Sequence, residues 1–102
     1  MIKIAIKRDV SSQKIISIEV KGHANSAEYG KDLVCAAISA IITGGFNALC
    51  DKEYSFKLEE GDAYVKALDI PSDYDAVVLK TIETQLKTVE EAEPKFVQIQ
   101  NL

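Results

Sequence analysis

The segment from Leu33 to Cys50 contains no aspartate, glutamate, lysine or arginine over eighteen residues. This length reaches the lower limit for a membrane-spanning helix, which is about 17 residues. Gly44, Gly45 and Asn47 dilute its apolar character, and strand-like patterns lie on both sides of it. We therefore predict the central helix of a soluble α/β unit, buried on nearly all sides, with a dimer contact as a second use of its surface.

Apolar residues alternate with polar ones in four segments, which predicts two β-hairpins. The alternating apolar residues of the first hairpin are Ile2, Ile4 and Ile6, followed by Ile16, Ile18 and Val20. Those of the second hairpin are Tyr54, Phe56 and Leu58, followed by Ala63, Val65 and Ala67. Residues 59–62 between the last two strands have the composition of a tight turn.

A second helix is predicted between Ser72, its N-cap, and Pro94, which stops it. Its apolar stripe consists of Val78, Ile82, Leu86 and Val89, and acidic residues at 73 and 75 suit the first turn. Residues 95–101 alternate as a last strand. The order ββαββαβ predicts an α+β fold, a two-layer α/β sandwich in which a mostly antiparallel sheet of about five strands packs on two helices.

Length and charge limit the classes of function. A single domain spanning residues 1–102 is predicted, because 102 residues with 47% hydrophobic content suit one core. The net charge of −4, without a cluster of lysine and arginine, disfavours direct binding to nucleic acid and suits a basic protein partner. The first eight residues lack an apolar run of signal-peptide length, which predicts a cytoplasmic protein that is not bound to a membrane.

The best candidates for chemistry are His23, the only histidine, and Cys35, twelve positions later. The segment between them is predicted to be a glycine-bounded loop, and Asp32 stands where the N-cap of the next helix is expected. Cys35 would then be the third helical residue. A helix N-terminus stabilises a thiolate, and the pKa of a thiol so placed falls from about 8.5 into the range of about 3.5–7.5. His23 as an imidazolium would add to this effect and then protonate a leaving amine.

Asp32 and Ser39 each have two interpretations. Asp32 either caps the helix alone, which is the simpler interpretation, or also orients His23 as the third member of a triad. Ser39 lies four residues beyond Cys35, so its hydroxyl bonds either the thiol or a substrate, or else the carbonyl of Cys35. The first-turn amides, including that of Cys35, are expected to donate to a developing oxyanion.

The cysteines also have a structural interpretation, because a cysteine without a disulfide often acts as a small buried hydrophobic residue. We assign Cys50 to that role. If both cysteines share one helix they lie about 22 Å apart and cannot bridge. Neither a CxxC nor an HxxxH pair is present, so no metal site and no cofactor are predicted.

Two motifs closely resemble the signature of the bacterial ribosomal-processing cysteine protease family, usually called Prp. They are Gly22-His23-Ala24 and Tyr29-Gly30-Lys31-Asp32-Leu33-Val34-Cys35-Ala36-Ala37-Ile38-Ser39-Ala40. The resemblance extends over the whole chain, through its length, its opening hairpin and the late segment Thr88-Val89-Glu90-Glu91. Leu33 stands where an isoleucine is more usual.

This resemblance implies a cytoplasmic endopeptidase that removes a short amino-terminal extension from large-subunit ribosomal protein 27. It also implies a homodimer. Cys35 would be the nucleophile and His23 the general acid and base, with Asp32 and Ser39 as supporting members of the site.

The resemblance further implies that Gly22 and Gly30 allow the loop that carries Tyr29 to open and close over the substrate. The alternative hypothesis is a non-catalytic domain that binds a ribosomal protein or peptide in the groove between loop and helix. In that case Cys35 would be buried, and its thiol would react slowly with an alkylating reagent.

Overall fold

The computed structural model describes residues 1–23 and 32–102. Its elements follow the predicted order ββαββαβ. The strands are β1 (Ile2–Arg8), β2 (Ile15–Lys21), β3 (Tyr54–Glu59), β4 (Asp62–Ala67) and β5 (Val97–Asn101). The helices are α1 (Leu33–Asn47) and α2 (Asp73–Ala92).

The five strands form one sheet in the order β3-β4-β2-β1-β5. Both predicted hairpins are antiparallel pairs, β2 and β4 are also antiparallel, and β5 runs parallel to β1. The inward side chains of the sheet and one face of each helix share a single hydrophobic core. Both helices therefore cover the same face of the sheet, which confirms the predicted two-layer sandwich.

The pairing of β1 with β2 contains an irregularity that the sequence pattern did not reveal. Ile16, a predicted inward residue, is only half-buried, whereas its neighbour Ile15 is buried. Arg8 lies opposite Ile15 while Lys7 lies opposite Ser17, so Ile16 is the extra residue of a β-bulge. Such a residue shifts the alternation of side chains by one position, which brings Ile15 into the core.

Helix α1 is less buried than predicted. Its buried residues are Val34, Ile38 and Ile42, which lie on one face, whereas small residues such as Ser39 and Gly44 are exposed. The prediction of a helix buried on nearly all sides is therefore wrong. The exposed residues of α1 are uncharged, and apart from Leu33 most of them are small, so the lack of charge does not indicate burial. No helix in the described part of the chain is both long and apolar enough to cross a membrane.

Helix α2 begins at the predicted N-cap, where the hydroxyl of Ser72 accepts a hydrogen bond from the amide of Asp75 at 3.2 Å. Ile82 and Leu86 of the predicted stripe are buried, and Leu79 is buried where the sequence pattern indicated Val78, which is half-buried. The two helices approach closely, because a Cβ on Gly45 of α1 would collide with the side chain of Ile82.

Two carboxylates of α2 are fully buried, at 0% exposure. Asp75 accepts hydrogen bonds from the Cys50 amide at 2.8 Å, the Asp51 amide at 2.9 Å and the Tyr54 hydroxyl at 2.8 Å. Glu83 pairs with Arg8 of β1, with Lys80 at 2.8 Å and with Lys87 at 3.7 Å. Burial raises the pKa of each carboxyl group, but these donors lower it by more, so both groups are carboxylates at neutral pH.

Cys50 departs from the prediction. It lies beyond Ala48, the C-cap of α1, and it is exposed rather than buried. The reason is that α1 ends at Asn47, before the uncharged segment does, and the chain then turns towards the start of α2. Cys35 and Cys50 are not joined by a disulfide.

Candidate active site

A cleft of about 600 Å³ lies between one face of α1, the end of β2 and the turn that joins β3 to β4. Its apolar lining includes Ile2, Val20, Ile38 and Ile42. Leu58 of the edge strand β3 also lines it and is 42% exposed. An apolar cleft with a few polar groups is the usual form of a binding site for a small molecule or a peptide segment.

Most of the residues predicted to form the site line this cleft. They are Gly22, His23, Asp32, Cys35 and Ser39. Tyr29 and Gly30, the other predicted site residues, lie outside the described residues. The histidine and the thiol come from different elements, since His23 follows β2 whereas Cys35 lies in α1.

Hydrogen bonds to two other parts of the chain hold the backbone at His23. The Gly22 amide donates to the carbonyl of Gly61 at 3.0 Å. The carbonyl of His23 accepts from the amino group of Met1 at 2.6 Å. Gly22 has a φ of +96°, and a Cβ there would collide with the carbonyl oxygen of Met1, so only glycine fits without strain.

The predicted start of α1 is confirmed. Asp32 is the N-cap, and its Oδ1 accepts from the amides of Val34 and Cys35, both at 3.1 Å. Cys35 is therefore the third residue of the helix, half-buried, at the end where the helix dipole favours a negative charge. The Cys35 amide, which is expected to donate to a developing oxyanion, donates to Asp32 in this structure.

Ser39 lies one turn beyond Cys35 and is exposed in the cleft. Threonines of α2 show the alternative fate of a helical hydroxyl, since Thr81, Thr84 and Thr88 each donate to the carbonyl four residues earlier. Ser39 lines the same cleft as Cys35, where its hydroxyl can bond a group that enters.

The turn between β3 and β4 supplies residues of the cleft that the sequence did not identify. Glu59, Glu60, Gly61 and Asp62 all line it. The Lys57 ammonium, bonded to Asp62 at 2.7 Å, lowers the pKa of that carboxyl group and keeps it charged. The sequence predicted only a turn here, because the position of the turn beside His23 depends on the pairing of β2 with β4.

The site suits covalent catalysis by a thiol. Cys35 at the first turn of α1 and the imidazole of His23 line the same cleft. A thiol and an imidazole are the two kinds of group that acyl transfer by a cysteine uses. No group of three or more His, Cys, Asp or Glu residues in the described ranges 1–23 and 32–102 is arranged to hold a metal ion.

Comparison with known proteins agrees with this geometry. The family model of the cysteine protease Prp matches residues 1–98. The ribosomal processing cysteine protease Prp of Mycoplasma genitalium is 38% identical over 97 residues, which cover 92% of this chain and 93% of that protein. The Prp of Staphylococcus aureus is 30% identical over 83 residues, which cover 76% of this chain and 78% of that protein.

The fold of this chain, like its sequence, matches that of Prp proteins. A crystal structure of the ribosomal processing protease Prp from S. aureus, in complex with a covalently linked product peptide, has a TM-score of 0.92. It is 27% identical, and the superposition covers 100% of each chain. Since sequence and fold agree over nearly the whole length, this chain belongs to the cysteine protease Prp family and is a cysteine peptidase.

Proposed function

We propose that this peptidase removes the amino-terminal extension of large-subunit ribosomal protein 27 and that Cys35 and His23 carry out the cleavage. The observation that carries the proposal is the position of Cys35 at the third residue of α1, in one cleft with His23. The S. aureus relative was crystallised with a covalently linked product peptide, which supports an enzyme that holds a peptide on a nucleophile.

The proposed reaction has two stages. The thiolate of Cys35 attacks the scissile carbonyl carbon, and the imidazolium of His23 donates its proton to the leaving amine as the C–N bond breaks. The resulting thioester is then attacked by water, which His23 deprotonates as a general base, and the Cys35 thiolate leaves. The N-terminus of α1 stabilises the thiolate before the first stage and after the second.

Two further residues support the reaction in this proposal. Asp32 holds the first turn of α1 in place through its two amide hydrogen bonds, and it also orients His23. Ser39 presents its hydroxyl to the thiol or the peptide from the next turn. Gly22, Tyr29 and Gly30 contribute to binding the substrate.

The lining of the cleft suits the proposed substrate. Its apolar residues suit apolar side chains of a peptide substrate, and the acidic turn at 59–62 suits a basic ribosomal protein. We further propose that the enzyme works in the cytoplasm as a homodimer.

Mass spectrometry of the precursor of ribosomal protein 27 after incubation with the enzyme tests the proposal. The parent protein is expected to release a short amino-terminal peptide, and Cys35→Ala is expected to reduce cleavage by at least about 10³-fold. Cys50→Ala is the matched control, because Cys50 is exposed and does not line the cleft, and it should cleave normally. Binding of the precursor without cleavage by the parent protein would contradict the proposed substrate.

A further inference from the structure

We propose that Gly61, in the turn between β3 and β4, is a positioning residue that sets the orientation of the His23 imidazole. The inference deepens the proposed function, since it assumes that His23 acts on the substrate. Gly61 lies 38 positions after His23 in the sequence, and no motif connects the two residues.

The first argument is the contact between the imidazole and the glycine. A Cβ built on Gly61 would lie 2.5 Å from Nε2 of His23, 2.9 Å from Cε1 and 3.3 Å from Cδ2. Three atoms of one ring thus surround the space that any other side chain would occupy. The missing side chain of Gly61 leaves the space in which the imidazole lies.

The second argument is the backbone at the same place. The carbonyl of Gly61 accepts the hydrogen bond from the Gly22 amide at 3.0 Å, so this residue also holds the chain directly before His23. The bond continues the ladder between β2 and β4, in which Lys21 lies opposite Asp62. One glycine therefore restricts both the backbone and the ring of the histidine.

The third argument concerns what would move if the space were filled. One hydrogen bond at the His23 carbonyl and one at the Gly22 amide hold the backbone here, whereas the His23 ring can rotate about two side-chain torsions. A methyl group at position 61 should therefore rotate the imidazole and leave the sheet in place. Gly61 also has a φ of +75°, so alanine adds backbone strain, which asparagine tolerates better.

Gly61→Ala and Gly61→Asn are the two informative variants. Both add a Cβ against the ring, so both are expected to lower kcat/KM by about 100-fold, the typical effect of misplacing a catalytic group by about 1 Å. If backbone strain alone were responsible, Gly61→Asn would be much less affected than Gly61→Ala. Gly44→Ala is the matched control, because a Cβ there meets nothing within 4 Å and its activity should be unchanged.

A double-mutant cycle distinguishes positioning from a general structural role. If Gly61 acts through the imidazole, Gly61→Ala should cause no further loss of activity in a His23→Ala background. An equal loss in both backgrounds would overturn the inference. Full activity of His23→Ala would remove the histidine from the mechanism, and the Gly61 inference would fail with it. If His23→Ala is inactive but Gly61→Ala is fully active, only the Gly61 inference is overturned.

NMR of the imidazole gives a readout that does not depend on catalysis. His23 is the only histidine, so its ring signals are unambiguous. We expect nuclear Overhauser contacts between the ring protons and the Gly61 α-protons in the parent, and shifted ring signals in both Gly61 variants. Absence of these contacts in the parent, or unchanged ring signals in well-folded variants, would overturn the inference.

Discussion

The two helices begin in similar ways but in opposite surroundings. Each has a capping side chain, Asp32 for α1 and Ser72 for α2, that accepts hydrogen bonds from first-turn amides. The third residue of each helix carries an acidic group, the thiol of Cys35 in α1 and the carboxyl of Asp75 in α2. Cys35 faces a cleft, whereas Asp75 is fully buried and accepts three hydrogen bonds from the segment before and within β3.

This difference shows how one electrostatic feature serves two purposes. At α2, protein donors surround the anion, so its charge stabilises the connection between the end of α1, β3 and α2. At α1, the cleft leaves room for a substrate beside the group that the helix stabilises. We therefore propose that the same helix dipole contributes to folding at α2, where the helix end is closed, and to reactivity at α1, where the helix end is open.

The largest effect is expected from Asp75→Asn at the N-terminus of α2, the closed end, where protein donors surround the carboxylate. An amide nitrogen in place of one carboxylate oxygen would face the donors of Cys50, Asp51 or Tyr54 and leave a buried donor without an acceptor. We expect a loss of about 3 kcal/mol in the free energy of unfolding. The folded fraction should retain its peptidase activity, because Asp75 does not line the cleft.

Urea denaturation of parent and variant, with activity measured without urea, tests this expectation. A stable but inactive Asp75→Asn protein would contradict the assignment of this helix end to folding alone. Ser72→Ala is a milder comparison, because it removes only the cap and should cost about 1 kcal/mol.

A smaller effect is expected from Asp32→Asn at the open end. Asparagine also caps helices well, so the free energy of unfolding should change by less than about 0.5 kcal/mol. The loss of the negative charge should lower kcat/KM by about tenfold if Asp32 also orients His23, which corresponds to about 1.4 kcal/mol. Unchanged activity together with unchanged stability would confine Asp32 to capping.

The smallest effect is expected in how the stability contributed by Asp75, at the closed end, depends on pH. The pKa of Asp75 lies below its ordinary value of 3.8: burial raises it, but the Cys50 and Asp51 amides and the Tyr54 hydroxyl lower it by more. A carboxyl group of this kind stabilises fully above its unfolded-state pKa, and the stabilisation is lost as the pH falls through its folded-state pKa. The stability difference between the parent and Asp75→Asn should therefore be constant above about pH 5 and shrink below about pH 4.

Urea denaturation midpoints of the parent and Asp75→Asn, measured at intervals of pH, test whether the stability difference shrinks on acidification. The pKa of Glu83 is also lowered by Lys80 and Arg8 against the effect of burial. The parent and Asp75→Asn both contain this group, so the difference in stability between them isolates Asp75. A stability difference that grows on acidification would contradict the assignment.

Local features of the site were predictable from the sequence because they depend on neighbouring residues. Capping by Asp32 and Ser72, and hence the third-residue position of Cys35, follow from which residue types accept hydrogen bonds from first-turn amides. The element order follows from the periodicity of apolar residues. Placing His23 in the cleft with Cys35 required the family resemblance as well as the spacing.

The features that the sequence missed depend on contacts between distant segments. The burial of Asp75 depends on the chain after α1 returning to the start of α2, and the same path leaves Cys50 exposed. The contact of Gly61 with His23 depends on β4 lying beside β2. The core position of Ile15 depends on a bulge that the alternation of β2 alone does not reveal.

The two cysteines allow the central claim, that the open end of α1 activates Cys35, to be measured within one molecule. The parent protein would be treated with iodoacetamide at about pH 6, where an ordinary thiol is almost entirely protonated. The modified peptides that contain Cys35 and Cys50 would then be quantified by mass spectrometry. We predict that Cys35 is alkylated faster than the exposed Cys50. Alkylation of Cys50 at an equal or greater rate would contradict the account.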